Sequence, residues 1–209
     1  MRIPILFYIT QLVKIIAALV GGFRYRNLPR SLKILEWVII VGLVEVGVQW
    51  ILASHKINNL WTAHLYTLFE FICVVLMYSA WMKERQNQVM LIVCLSAFIL
   101  FWIVSKFTFE PFSRLDGWTA AISKILQITF SIFILVAIIK ESDLVWTKDS
   151  RFWVGAGIII YSAGSIFIFA LFNKMLEISA DRLRMVWHIN WSLMIIANLF
   201  YARSFLCKR

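Results

Sequence analysis

Residues 118–140 read WTAAISKILQITFSIFILVAIIK, with a single cation, Lys124, before the closing lysine. The hydrocarbon core of a bilayer takes about 20 residues of helix, and lipid offers no partner to a free backbone N–H or C=O. A run of this length and apolarity is therefore a membrane helix. Six comparable runs flank it, and the spans are read at about 4–22, 34–54, 63–82, 89–107, 118–140, 152–174 and 184–205. The breaks between them, such as FRYRNLPRSLK (23–33) and TFEPFSRLDG (108–117), are short and carry charged and turn residues. The expected fold is all-α: a polytopic membrane protein of seven transmembrane helices, one domain across residues 1–209.

Composition supports this reading. The chain is 62% hydrophobic and 15% charged, which excludes an ordinary soluble domain, where these fractions are about 50% and 25%, and a disordered tail. Seven spans use roughly 140 positions and leave no room for a separate soluble domain. The net charge of +10 would suggest nucleic acid in a soluble chain; here it reads as loop anchoring at the cytoplasmic face, with the lipid bilayer as partner and no nucleic acid. The first run is read as a retained span and not a signal peptide, because Lys14 interrupts it, no A-x-A-like site follows, and Arg24, Arg26 and Arg30 come next. Sorting Lys and Arg by side gives twelve with the first, third and fifth loops and the C-terminus, against seven on the other side. That places the N-terminus outside and the C-terminus in the cytoplasm. The odd set Cys73, Cys94 and Cys207 implies neither a disulfide framework nor a zinc finger.

An internal echo accompanies the spans. A shift of 116 residues aligns Gln11 with Gln127, Leu19-Val20 with Leu135-Val136, and Trp37-Val38 with Trp153-Val154. Helices one to three would then correspond to five to seven, with the fourth as a linker, a 3+1+3 repeat of the kind some transporters show.

Ionisable groups inside spans are costly and mark function or structural pairing. Four stand out, Lys14, Glu45, Glu70 and Lys124, each on a polar stripe at helical spacing: Glu45 with Gln49, Tyr66 with Glu70, and Lys124 with Gln127. Glu45, Gln49, Tyr66, Glu70, Lys124 and Gln127, with His64 and Asn190, are the candidate ligand-binding or ion-coupling residues, and they would line an outward-facing pocket. The competing reading is a Lys–Glu network that merely fixes helix register. His64, His188 and His55 all fall on the outer side, where three histidines with an open position would suit a catalytic metal, although no H-x-x-x-H spacing supports it. No P-loop, nucleophile elbow or dinucleotide fingerprint occurs, and no cofactor or catalytic residue is expected.

NNLWTAHLYTLFEF (58–71), PRSLKILEW (29–37) and WHINWSLMIIANLFYA (187–202) resemble a group of small, uncharacterised bacterial seven-span membrane proteins of the Bacteroidetes type. The resemblance carries no activity. It implies a bacterial inner-membrane protein and singles out Asn58, Asn59, His64, Tyr66 and Glu70. The expected function is a non-enzymatic small-ligand sensor or accessory subunit acting through a membrane or cytoplasmic protein partner. The alternatives are a proton-coupled transporter of a small polar solute and a metal-dependent intramembrane hydrolase.

Overall fold

The computed structural model describes residues 4–82, 84–140, 145–175 and 180–207, apart from the side chains of 170–175 and 180–183. They form seven long helices: α1 (Ile5–Arg24), α2 (Arg30–Ser54), α3 (Leu60–Trp81), α4 (Arg85–Thr108), α5 (Gly117–Lys140), α6 (Ser150–Met175) and α7 (Ala180–Leu206). Six of them, α1 to α6, are long and apolar enough to cross a bilayer, which makes this a multi-pass membrane protein. α7 is long enough but is not among the six. Its sequence is more polar, and Asn190 and Asn198 lie buried within the bundle, away from lipid.

Several helices begin before the expected spans. α2 starts at Arg30, directly after the extended Pro29, and α4 starts at Arg85. Proline is favoured at a helix start, and long basic side chains reach the interface from the first turn, so the helices overrun the apolar runs.

Neighbouring helices form a ring in the order α1–α2–α3–α5–α6–α7, which closes where α7 packs along α1, while α4 stands outside against α3 and α5. Contacts fix the directions. Thr10 reaches the Trp191 carbonyl and Gly21 lies against Phe205, so α1 and α7 run parallel. Glu70 meets Lys124 and Tyr78 meets Ser131, so α3 and α5 are also parallel. α1 with α2, α2 with α3, α5 with α6 and α6 with α7 are antiparallel, as shown by Gly21 against Glu36, Asn59 on Gln49, Ser162 on Gln127 and Ser165 on Asn190.

The ends of the bundle differ. The lower half, towards the α1–α2 connection, is filled by Leu32, Leu35, Phe71, Tyr78, Phe130 and Phe205, with the Phe71 and Phe98 rings 4.1 Å apart. The upper half, towards the α2–α3 and α4–α5 connections, holds Glu45, Gln49, Tyr66, His64 and Asn190. Exposed aliphatic and aromatic side chains such as Leu12, Leu19, Phe133 and Ile139 cover the outer surface, as expected where lipid is the solvent.

Candidate functional site

The upper half of the ring encloses a cavity of about 390 Å³. It is lined from α1, α2, α3, α6 and α7 and from Leu115 and Asp116 of the α4–α5 connection. Helical periodicity explains how each helix delivers its polar groups. Glu45 and Gln49 are one turn apart on α2, Tyr66 and Glu70 one turn apart on α3, and Asn190, Met194, Asn198 and Tyr201 follow at i+4, i+4 and i+3 on α7. Lys14 is the contribution of α1, and Tyr161 comes from α6.

The four charges singled out from the sequence do not pair off evenly. Lys124 donates to both Glu70 oxygens at 2.8 and 2.7 Å and lies over the Tyr161 ring at 4.7 Å. Glu45 accepts hydrogen bonds from Gln49 and, at 3.4 Å, from Thr62, and has no ion-pair partner among the described residues. Lys14, 5% exposed, makes neither a hydrogen bond nor an ion pair among the described residues; it sits 5.8 Å from the centre of the Tyr66 ring. Gly42 makes room for it, since a Cβ there would lie 2.5 Å from Lys14 Nζ and 2.7 Å from the Tyr66 hydroxyl.

Three of the sequence candidates lie outside the cavity wall: Gln127, His64 and Lys124, the last of which stands behind Glu70. Gln127 bridges α5 and α6: its Nε2 donates to Ser123 at 3.1 Å, and its Oε1 accepts from Ser162 at 3.5 Å. His64, wholly buried, belongs to a separate network beside the cavity. Its Nε2–H donates to the Arg114 carbonyl at 2.8 Å, which leaves Nδ1 to accept from Lys106 Nζ at 2.6 Å. Lys106 also donates to Glu110 at 3.1 Å. Glu110 accepts the backbone N–H groups of Trp118, at 2.7 Å, and Thr119, at 3.3 Å, and the Thr119 hydroxyl at 2.5 Å. It therefore caps the positive end of α5. The sequence reading placed Lys106 among the outer-side charges used for orientation. The structure buries it, because α4 extends to Thr108 and directs Lys106 at Glu110 one turn on.

Asp116, which the sequence reading did not single out, lies at the rim of the cavity and accepts a hydrogen bond from Thr67. Burial pushes its carboxyl up to about 7, against the opposing effect of the Thr67 hydroxyl, with nearby Glu110 adding to the rise. The native state therefore holds a proton that the unfolded chain releases near pH 4, and stability falls as pH rises from about 4 to about 7. Acidification from pH 7 to 5.5 should raise the thermal midpoint, by at most about 2 kcal/mol of stability at about 1.4 kcal/mol per pH unit. Asp116→Asn should flatten that dependence, and an unchanged pH profile in the variant would count against it.

The histidines are dispersed. His55 is exposed at the end of α2, hydrogen-bonded to the Ile51 carbonyl at 2.9 Å, and the His188 ring lies 5.6 Å from that of Trp191. Among the described residues no group of three His, Cys, Asp or Glu side chains could hold a metal ion. Sequence reasoning also passed over Glu36. Its carboxylate is buried between α1 and α7, against Gly21 and Phe205, with neither oxygen hydrogen-bonded among the described residues. The comparisons give this arrangement no precedent: no protein family, curated protein or solved structure matches the chain.

Proposed function

We propose that the protein binds a small polar solute in the upper cavity and acts without catalysis, as a sensor or accessory subunit that works through a partner. The observation that carries this reading is the enclosure, by ring helices, of a cavity with unneutralised charged groups in its wall. Intramembrane polar groups facing a cavity rather than lipid mark ligand or ion sites. In this reading α7, parallel to α1 in the ring, is the seventh crossing; the excess of Lys and Arg sets the lower end in the cytoplasm, so the cavity opens outward. The resemblance noted above suggests a bacterial inner membrane.

Cysteine accessibility tests it. With Cys73, Cys94 and Cys207 replaced, Ala63→Cys on the cavity wall should react with a membrane-impermeant thiol reagent added outside, while Val75→Cys in the lower core should not. No reaction at Ala63→Cys, or reaction from the cytoplasmic side alone, would sink the outward cavity.

A second reading, a transporter for a small solute, is favoured by helix register. The 116-residue shift carries Gly21 and Glu36, which touch, onto Ala137 and Phe152, and Lys14 and Gly42 onto Phe130 and Ile158. Both shifted pairs fall within one residue of the antiparallel register that joins Gln127 to Ser162 and Leu135 to Gly155. A half-turn about the ring axis, taking α1, α2 and α3 to α5, α6 and α7, also preserves the cyclic order and both parallel contacts. A site at the interface of two parallel repeats is a transporter arrangement. Uptake into proteoliposomes separates the two readings.

A further inference from the structure

The charges in the cavity wall constrain what can fill it. Glu70 and Lys124 satisfy each other through two hydrogen bonds. Two poles remain. Among the described residues, Lys14 presents an ammonium with no hydrogen bond or ion pair, beside the face of Tyr66, and Glu45 a carboxylate hydrogen-bonded by uncharged donors alone. They are close: the ammonium lies at the level of Gly42, and Glu45 is three residues further along α2, about 4.5 Å of helical rise. Each acts electrostatically on the other across the cavity, yet no ion pair joins them among the described residues.

A buried charge without a counter-charge is expensive. A solute with one charge would satisfy one pole and desolvate the other, and an uncharged solute would desolvate both. A zwitterion meets both at once and leaves the site neutral. Around the poles Val38, Ile39, Val46, Ile158 and Met194 give the wall apolar surface, interrupted by the Glu70 carboxylate that Lys124 already neutralises, and about 390 Å³ lies at the small end of ligand sites, which run from roughly 300 to 1,000 Å³. We infer that the cavity takes a small zwitterion with an apolar body, of the chemical class of an apolar α-amino acid, its anionic group on Lys14 and its ammonium on Glu45. This rests on the solute-binding reading above and names the solute class.

The test uses the full chain in nanodiscs, with binding read as ligand-dependent thermal stabilisation. The probes are leucine; 3-methylbutylamine, which lacks the carboxylate; 4-methylpentanoate, which lacks the ammonium; and glycerophosphoethanolamine, a zwitterion from a lipid headgroup. Leucine should bind at least about tenfold more tightly than either singly charged analogue. Lys14→Met should weaken leucine about tenfold and leave the amine unaffected, and Glu45→Gln should do the converse with the carboxylate. Gly42→Ala keeps both charges but puts a methyl against the ammonium, and should weaken leucine without unfolding the protein. Preference for glycerophosphoethanolamine over leucine supports the zwitterion and assigns it to lipid. Equal binding of an analogue and leucine, or leucine binding indifferent to both charge substitutions, overturns the inference and leaves a solute cavity. Silence across the whole panel also overturns it; if Ala63→Cys is then unreactive as well, the solute-binding reading falls with it.

Discussion

Glu70→Ala is expected to destabilise the protein by about 3–5 kcal/mol, because it strands the Lys124 ammonium. The pair is unequal: the Lys124 side chain is 4% exposed and that of Glu70 14%. Removing Glu70 leaves the deeper charge with the Tyr161 ring and, among the described residues, no hydrogen-bond partner. Removing Lys124 instead leaves a carboxylate that is less deeply buried and faces the cavity, so Lys124→Ala should cost less. Replacing both by leucine should restore most of the loss, because an apolar pair of similar volume avoids burying any charge. Thermal unfolding of the two single variants and the double variant gives the coupling directly. A Glu70→Ala loss below about 1 kcal/mol would mean that the pair behaves as a solvated one.

Glu110→Ala should have an effect of similar size, with a different cause. The carboxylate holds the Trp118 and Thr119 amides at the start of α5 and the Lys106 ammonium at the end of α4. Alanine removes the cap and leaves Lys106 with His64 and Thr119; a buried pair broken on one side costs about 3–5 kcal/mol. Glu110→Gln keeps one of the two acceptor oxygens, enough for the Trp118 amide or for the Thr119 and Lys106 donors but not for both sets, so it should cost less than alanine, about 1.5–3 kcal/mol. Denaturation of both variants would show this ranking, and equal losses would show that the charge carries the whole effect. Because Leu115 and Asp116 follow in the same connection, Glu110→Ala should also loosen the cavity rim.

The helices were legible because their apolar runs are long and uniform, and the stripes on α2, α3 and α7 because helical periodicity alone puts Glu45 with Gln49, Tyr66 with Glu70, and Asn190 with Asn198. Partnership was not legible. That Lys124 takes Glu70 and leaves Glu45 depends on α5 lying beside α3, a matter of ring order that no local pattern encodes. Lys106, at the end of the expected span 89–107, and Glu110, in the connection after it, looked like outer-side charges, whereas burial there comes from α5 folding back over them. Glu36 lay hidden for a related reason. It falls inside the expected span 34–54, but no local pattern shows that α2 turns it to face Gly21 and Phe205. Apolar periodicity records which face of a helix avoids water; it holds no record of which helix that face will meet.

The closure of the ring by α1 and α7 has a consequence in time. Thr10 meets the Trp191 carbonyl across 181 residues of chain, which at 5–20 residues per second takes the ribosome roughly 10–35 s to make. α1 is therefore placed in the membrane well before the surface it packs against exists, and throughout that interval Lys14 has no cavity to occupy. Until α7 is made, the wall of the cavity that Asn190, Met194 and Asn198 supply is missing from beside Lys14.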